Sequence, residues 1–531
     1  MSEAPHHQDM AEEYSETAGA NGRSARLIWS LRALGLIMAA LVYLLLGGSE
    51  GLTPDARWVA TIGTLMAVWW MTEAIPLSVT SLLPIVLIPM LTERTVGEAT
   101  SPYASSVVFL FLGGFLIAIA MEKWNLHHRI ALLTLRRVGV APRRIVLGMM
   151  LATGFLSMWV SNTATTLTML PIGLSVLTLV IEHSPTREDA SVVDKLRAGA
   201  AIKDVIEDEN VRRFGICLVL AIAWSASIGG LGTLLGSPPN AIVAGYASDE
   251  LGREISFLGW MMIGTPLAIV FIFVTWLLMT RLLYRFNLEE IPGGRRMIDD
   301  EIAGLGPLSQ GEKAVLAVFL SAAFLWVVPG LVSNIPGVSI GPLGELDDTA
   351  IAIAAGIAMF LIPARGRREM VLEWKDAENG LPWGVLLLFG GGLSLASAVA
   401  GTGLDGWLGA QVQGLGALPI LLLAAAVVMI VIFLTEITSN TATAATFIPV
   451  LGGVAIGIGA DPMTLLIPAT LAATCAFMLP VGTPPNAIVF GTGYVTIAQM
   501  ARGGVVLNMV GITLITLVCY LLGGFALGLE F

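Results

Sequence analysis

Apolar runs long enough to cross a bilayer recur along this 531-residue chain, from about residue 33 to the C-terminus. A spanning helix needs about 20 predominantly apolar residues. Hydrophobic residues make up 56% of the chain and charged residues only 13%, whereas soluble domains carry about 25% charged residues. The sequence therefore predicts an all-α polytopic membrane protein.

We predict eleven full crossings and two re-entrant hairpins. The hairpins, at 145–180 and 416–455, are too long for one helix, and each carries the sequence Ser-Asn-Thr-Ala-Thr near its middle. A hairpin that enters and leaves by one face does not change the sidedness of the later segments. The crossings are predicted at 33–48, 58–73, 76–91, 106–122, 214–247, 257–280, 314–330, 349–363, 383–400, 465–497 and 505–527.

The basic residues set the predicted orientation, because cytoplasmic loops of membrane proteins are enriched in Lys and Arg. With a cytoplasmic N-terminus, cytoplasmic segments hold 25 of the 28 Lys and Arg residues, and the exterior keeps Arg57, Arg94 and Arg253. The C-terminus is then external. Residues 1–28 are polar and acidic and lack the apolar segment of a signal peptide, so they are predicted to form a disordered cytoplasmic tail. The expected location is a plasma membrane or bacterial inner membrane.

Two apolar regions repeat each other at polar positions. The sequence FLSMWVSNTATTLTMLP (155–171) matches FLTEITSNTATAATFIP (433–449) at 9 of 17 positions, and GSPPNAIVAG (236–245) matches GTPPNAIVFG (482–491) at 8 of 10. The predicted topology gives the two copies opposite orientations. This predicts an inverted-repeat transporter with halves at 29–312 and 313–531, and a substrate site at the repeat interface near mid-membrane.

The Pro-Pro pairs predict that segments 214–247 and 465–497 are broken helices, since proline cannot sit inside an uninterrupted helix. A break leaves free carbonyl groups on one half-helix and free amide groups on the other. Carbonyl oxygens suit Na⁺, whereas amide N–H groups suit an anion. In the two Ser-Asn-Thr-Ala-Thr motifs, Asn162 and Asn440 each offer a carbonyl oxygen to a cation and an NH₂ group to an anion. Two similar sites would then each pair a cation with an anionic group, and a substrate with two carboxylates would engage both.

Other interpretations of these polar residues remain open. Ser and Thr in membrane helices commonly bond to their own helix or join helices together. Glu436 stands where the other copy has Met158, and it either biases the second cation site or is a hydrogen-bonded structural acid. The cysteines Cys217, Cys475 and Cys519 lack ligand spacing and are predicted to be small core residues.

The five histidines lie in the tail or in predicted polar loops, so titratable side chains are scarce within the spans. This scarcity favours Na⁺ over H⁺ as the coupling ion. It also argues against an intramembrane enzyme, which needs a nucleophile with a base, or a set of metal ligands.

These motifs, with WWMTEAIPLSVTSLLP (69–84), resemble the divalent anion/sodium symporter family from about residue 30 to the C-terminus. The resemblance implies a homodimer in which each protomer has a fixed scaffold and a mobile transport domain that moves as an elevator. It also implies two Na⁺ sites and one substrate site. The first Na⁺ site would use Ser157, Ser161, Asn162 and Gly236, and the second Thr435, Thr438, Ser439, Asn440 and Gly482. Substrate would contact Asn162, Thr163, Ser237, Asn440, Thr441, Thr483 and Pro484.

The predicted function is sodium-coupled import of di- or tricarboxylates such as succinate, malate and fumarate. The alternatives are a sodium-independent dicarboxylate exchanger, a transporter of sulfate or another divalent anion, and an uncoupled anion channel. The sequence names neither the preferred anion nor the number of Na⁺ ions, and it assigns no role to the tail or to the loop 187–213.

Overall fold

The computed structural model describes residues 25–182, 202–288, 294–333, 346–365 and 369–531. Most of the predicted tail and part of the 187–213 loop lie outside these residues. The first helix begins at Ala25, so the last four residues of the predicted tail are helical. Apart from a two-stranded antiparallel pair, β1 (Pro363–Arg365) and β2 (Glu369–Met370), the regular structure of the described residues is helical. The prediction of an all-α membrane protein is confirmed.

The helices before residue 310 include long apolar spans and several short connectors. They are α1 (Ala25–Leu45), α2 (Pro54–Thr72), α3 (Leu77–Thr80), α4 (Leu83–Leu91), α5 (Val96–Thr100), α6 (Ser106–Lys123), α7 (Leu126–Val138), α8 (Pro142–Ser157), α9 (Asn162–Glu182), α10 (Ile202–Val205), α11 (Glu209–Gly229), α12 (Pro238–Leu251), α13 (Phe257–Leu278) and α14 (Gly294–Gly304).

The remaining helices follow a similar order of long spans and interruptions. They are α15 (Gln310–Ser333), α16 (Asp348–Leu361), α17 (Trp374–Gly380), α18 (Trp383–Gly401), α19 (Leu404–Gln411), α20 (Ile420–Thr435), α21 (Asn440–Gly457), α22 (Met463–Ala473), α23 (Pro484–Gly491) and α24 (Ile497–Leu527).

Nine segments within the described residues are long and apolar enough to cross a membrane. The predicted crossing 76–91 corresponds to a shorter apolar segment, Leu77–Leu91, which is divided into α3 and α4 between Thr80 and Leu83. The division has a local cause: Pro84 has no N–H group, and its ring clashes with the carbonyl four residues earlier, where α3 ends at Thr80. The last span begins at Ile497, earlier than predicted, because Thr496 and Gln499 form a capping box there.

The core is centred on α11, which is buried along nearly its whole length. It packs against α8 and α9 on one side and against α23 on another. Helix α1 lies at the periphery, packs against α2 and exposes most of its side chains. The three cysteines are buried and free of disulfides, as expected for small core residues.

Helix α7 is amphipathic and was missed by the sequence analysis, which placed its histidines in a polar loop. His127 is buried, with Nδ1 3.1 Å from Met121 O and Nε2 3.1 Å from the Thr168 hydroxyl of α9. Burial lowers the pKa of His127. On the same helix Arg129 forms a buried ion pair with Glu312 at 2.6 Å. Side chains of helix α7 therefore contact both α9 of the first hairpin and the start of α15.

Candidate functional site

The two Ser-Asn-Thr motifs occupy the same place in two helical hairpins. Helix α8 ends at Ser157 and α9 begins at Asn162, while α20 ends at Thr435 and α21 begins at Asn440. Each connection is the four residues between these ends. Each motif asparagine is therefore the first residue of a helix, where backbone N–H groups lack intrahelical partners.

The two Pro-Pro-Asn motifs end two interruptions. The chain leaves the α-helical conformation between Gly229 and Pro238, where Leu234–Gly236 form a single 3-10 turn, and again between Ala473 and Pro484. The prolines occupy the first positions of α12 and α23, where the missing N–H group costs no hydrogen bond. Carbonyl groups at the ends of α11 and α22 accept from side chains of the hairpins: Ala226 O from the Ser157 hydroxyl at 2.7 Å, and Ala473 O from the Thr435 hydroxyl at 2.9 Å.

The first hairpin and the first interruption together form what we call the first oxygen cluster, made by Ser157, Asn162, Ala226 and Gly236. The Asn162 Oδ1 atom lies 2.5 Å from Ser157 Oγ, 3.1 Å from Ala226 O and 3.3 Å from Gly236 O. The Ser157 hydroxyl donates to Ala226 O at 2.7 Å. Two side chains and two carbonyl groups thus converge on one point.

The second oxygen cluster repeats this arrangement with Thr435, Asn440, Ala473 and Gly482. The Asn440 Oδ1 atom lies 2.7 Å from Thr435 Oγ1, 3.0 Å from Ala473 O and 3.1 Å from Gly482 O. The Thr435 hydroxyl donates to Ala473 O at 2.9 Å. The equivalent atoms come from equivalent positions of the two hairpins and the two interruptions.

If the amide oxygen of each asparagine faces the cluster, oxygen atoms lie against oxygen atoms; if the NH₂ group faces it, the amide donates to Ala226 O and Gly236 O in the first cluster and to Ala473 O and Gly482 O in the second. A hydroxyl has one proton and gives it to one acceptor, and here the Ser157 and Thr435 protons have the Ala226 and Ala473 carbonyls within reach. The amide oxygen then faces carbonyls that cannot donate. Two arrangements resolve this repulsion: the amide turns so that its NH₂ group donates, or a cation lies among the oxygens. Neutral oxygen ligands of this kind suit a hard cation.

Ala226 and Ala473 were missed by the sequence analysis, since any residue carries a carbonyl group. A positional signal was available, because both lie in or next to the last turn of a half-helix, where carbonyl groups have fewer intrahelical partners than in the helix interior. Close approach at the first cluster also requires glycine. A Cβ atom on Gly230 would lie 2.9 Å from Gly236 O and 3.0 Å from Asn162 Oδ1.

The asparagines of the Pro-Pro-Asn motifs fix the two interruptions. Asn240 Nδ2 donates to Gly230 O at 3.0 Å and Thr233 O at 2.9 Å. Asn486 Nδ2 donates to carbonyls at equivalent positions, Ala476 O at 3.0 Å and Leu479 O at 3.1 Å. Both side chains are fully buried. They act as clamps that hold non-helical backbone in place inside the protein, as irregular backbone at membrane depth requires.

The Glu436 side chain is hydrogen-bonded to the second interruption. Its carboxylate accepts hydrogen bonds from the backbone N–H groups of Phe477, Met478 and Leu479, at 2.7 to 3.0 Å, and from Asn508 Nδ2 at 2.8 Å. In the first half Met158 packs its side chain against Gly232 instead. The second interruption therefore has an anion bound to its amide groups where the first has a thioether.

The structure leaves some predicted cation ligands away from the oxygen clusters. The Thr438 hydroxyl pairs with the Thr443 hydroxyl at 2.6 Å and donates to Leu434 O at 2.9 Å. The Ser161 side chain is exposed, and its Oγ accepts from the N–H of Ala164 at 3.2 Å. Ser439 is half-buried, and its carbonyl accepts from the Thr443 N–H at 2.9 Å.

The predicted substrate residues differ in their burial and in the hydrogen bonds that their side chains already form. Thr483 is buried and accepts from the Asn486 N–H at 3.4 Å, which caps α23. Ser237 is buried and shares a hydrogen bond with Thr474. Thr441 is buried, Thr163 is half-buried and Pro484, which has no hydroxyl group, is exposed.

The two halves of the chain meet at these elements. Helix α9 of the first hairpin packs against α23, and α21 of the second hairpin packs against α12. The interruptions also touch directly, through Ser237 and Thr474. Among the described residues no group of three or more His, Cys, Asp or Glu side chains could hold a metal ion.

Known transporters are similar to this chain along nearly its whole length. The family described as the sodium:sulfate symporter transmembrane region matches residues 26–527. A sodium-dependent dicarboxylate transporter, SdcS, of Staphylococcus saprophyticus is 41% identical over 505 residues, which cover 94% of this chain and 92% of that protein. The SdcS protein of Staphylococcus aureus strain RF122 is 39% identical over 529 residues, covering 99% and 97%.

Solved structures of two bacterial transporters share the fold. The Alcanivorax borkumensis YdaH transporter aligns with a TM-score of 0.55 at 16% identity, over 87% of this chain and 98% of its own. Neisseria gonorrhoeae MtrF aligns with a TM-score of 0.56 at 12% identity, over 92% and 98%. At these identities the likeness concerns the fold alone.

Proposed function

The chain belongs to the sodium:sulfate symporter family, as its resemblance to the divalent anion/sodium symporters predicted, and we propose that it is a carrier that imports dicarboxylates with Na⁺. The observation that carries this proposal is the matched pair of neutral oxygen clusters at the hairpin tips. Relatives about 40% identical over nearly their full length are named sodium-dependent dicarboxylate transporters. The family is one of transporters rather than enzymes.

The oxygen clusters are the proposed Na⁺ sites. In the first, Ser157, Asn162 and Gly236 act with the Ala226 carbonyl, which the sequence analysis did not include. In the second, Thr435, Asn440 and Gly482 act with the Ala473 carbonyl. Ser161, Ser439 and Thr438 would complete the sites only after a rearrangement of their present hydrogen bonds.

The proposed substrate lies between the hairpin tips and the interruptions. Helices α9, α12, α21 and α23 all begin there, and helix N-termini favour anions through unpaired N–H groups and the helix dipole. Side-chain contacts come from Asn162 and Thr163 in one half and from Asn440 and Thr441 in the other, with Ser237, Thr483 and Pro484. Two Na⁺ ions would neutralise one dianion, and any additional Na⁺ would make transport electrogenic.

The larger architecture is proposed on the same basis. The equivalent contacts of the two halves favour an inverted repeat, with hairpins 145–180 and 416–455 entering the membrane without crossing it. The elevator movement, the homodimer, the cytoplasmic N-terminus and the external C-terminus follow from the resemblance and from the distribution of Lys and Arg.

Transport by purified protein in liposomes tests the proposal. A Na⁺ gradient, inside low, should drive concentrative uptake of labelled succinate, and Asn162→Ala and Asn440→Ala should each abolish it. Thr470→Val is a matched control, because the Thr470 hydroxyl is buried but bonds to Leu466 O of its own helix at 2.7 Å.

Labelled citrate and sulfate in the same assay identify the anion, and the family description makes sulfate the second candidate. Succinate counterflow that proceeds equally well without Na⁺ would replace the symporter by an exchanger. Rapid currents with no concentrative uptake would indicate a channel.

A further inference from the structure

A hydrogen bond joins the two helix interruptions at the centre of the candidate site. The Ser237 and Thr474 hydroxyls lie 3.1 Å apart, and both side chains are essentially fully buried. Ser237 immediately precedes α12 in the first half, and Thr474 immediately follows α22 in the second. A displacement of one interruption is therefore transmitted to the other through this hydrogen bond.

Thr474 is also attached to the second oxygen cluster. It follows Ala473, whose carbonyl accepts from Thr435 and faces Asn440. The Ala473 carbonyl and the Thr474 N–H belong to one planar peptide unit. A cation bound to the Ala473 oxygen would therefore fix the orientation of the peptide unit that ends at the Thr474 Cα, to which the Thr474 side chain is attached.

The corresponding position in the first half lacks this connection. Ser227 follows Ala226 as Thr474 follows Ala473, and its hydroxyl is fully buried without a hydrogen-bond partner among the described residues. The hydroxyl that corresponds to Ser237 in the second half, Thr483, caps its own helix instead. Of the two equivalent connections, the described structure forms the one through Thr474.

We propose that Thr474 is a positioning residue that couples the second oxygen cluster to the substrate contact made by Ser237. This inference rests on the proposed sodium-coupled function. Cation binding fixes the Ala473–Thr474 peptide, Thr474 then holds the Ser237 hydroxyl in one orientation, and a carboxylate meets a donor that is already placed. By linkage, bound substrate must strengthen cation binding by the same factor.

The test is a measurement of this coupling factor in purified full-length protein. The thermal unfolding midpoint is followed as Na⁺ replaces choline, with and without saturating succinate. In the wild type, succinate should lower the Na⁺ concentration that gives half of the stabilisation. Thr474→Val removes the hydroxyl at nearly constant volume and should reduce that effect by about five-fold, the usual worth of one buried hydrogen bond. Na⁺ stabilisation without succinate should remain.

Four single variants and one double variant separate coupling from a general structural effect. Thr474→Ser keeps the hydroxyl and should restore coupling, whereas Thr470→Val should leave it at the wild-type value. Ser227→Ala should also leave it unchanged, because that hydroxyl has no partner to lose among the described residues. The double variant Ser237→Ala/Thr474→Val should lose no more of the coupling factor than Ser237→Ala alone, since the effects of substituting two contacting residues are not additive.

The outcomes distinguish this inference from the function on which it rests. If neither Na⁺ nor succinate stabilises the wild type, the proposed function fails. If both stabilise the wild type and Thr474→Val keeps the full coupling factor, the function stands and the role of Thr474 is refuted. Additive effects of the Ser237 and Thr474 substitutions would refute it equally.

Discussion

Asn440→Asp distinguishes the two arrangements that resolve the oxygen repulsion in the second cluster. The substitution keeps the side-chain shape and exchanges the NH₂ group for a negatively charged oxygen. If Na⁺ lies among Thr435, Asn440, Ala473 and Gly482, the carboxylate adds a charged ligand to it. If the Asn440 amide instead donates to the Ala473 and Gly482 carbonyls, 3.0 and 3.1 Å away, the carboxylate repels both.

The expected gain in Na⁺ affinity follows from Coulomb's law. A unit charge about 4 Å from the ion, in surroundings with an effective dielectric constant of about 20, attracts it by about 4 kcal/mol. Desolvation of the buried carboxylate offsets part of this attraction. If one-third to two-thirds of this attraction remains, the binding free energy of Na⁺ improves by about 1.4 to 2.8 kcal/mol. The Na⁺ dissociation constant then falls about 10- to 100-fold.

The assay is a Na⁺ titration of the unfolding midpoint at constant ionic strength without substrate. The half-stabilising Na⁺ concentration should fall, while succinate affinity falls because the added charge repels a carboxylate. Asn486→Asp is the matched control, since the Asn486 NH₂ group donates to two carbonyls and its replacement should lower stability without tightening Na⁺ binding. If Asn440→Asp behaves like this control, no cation lies in the second cluster.

Three further substitutions test other parts of the site and its support. Gly230→Ala should weaken Na⁺ stabilisation and uptake at least about ten-fold, because its Cβ would press on Asn162. Glu436→Gln should lower stability by about 2 to 4 kcal/mol, seen as a lower unfolding midpoint, because its NH₂ group would face the Leu479 N–H. Arg129→Met should cost about 3 to 5 kcal/mol, since it leaves a buried carboxylate unpaired, but should not change the half-stabilising Na⁺ concentration.

Matched substitutions elsewhere show whether these effects are specific. Gly48→Ala should be silent, because its Cβ would meet nothing within 4 Å. Arg136→Met removes an exposed ion pair with Asp299 and should cost at most about 1 kcal/mol. Equal losses in the Arg129 and Arg136 variants, or normal Na⁺ binding by the Gly230 variant, would contradict the packing argument.

The hairpins and the interruptions were predictable because proline and repeated polar residues are strong signals in an apolar chain. Asn162 and Asn440 lie at the centre of the two oxygen clusters, where chemistry and spacing placed them. Within the predicted crossing 76–91 the division between α3 and α4 was not foreseen, although Pro84 is a signal for it. His127 was placed in a loop because α7 is amphipathic and short, so its hydropathy resembles that of a connector.

Other parts of the site depend on contacts that residue type does not express. Ala226 and Ala473 contribute main-chain atoms, and any residue at those positions would contribute the same ones. The role of Glu436 remained open in the sequence because it depends on three amide groups about forty residues further along the chain. The pairing of Ser237 with Thr474 likewise forms only after both halves have folded together.

Two of the four oxygens in either cluster come from peptide groups, which substitution cannot delete. A substitution can alter the position of these carbonyl oxygens only by shifting the backbone. Ion chemistry of this kind can persist in distant descendants whose side chains have changed, provided that the helix interruptions keep their shape. If the clusters bind Na⁺ as proposed, surveys that score such proteins by matching side chains will undercount the relatives that keep the same site.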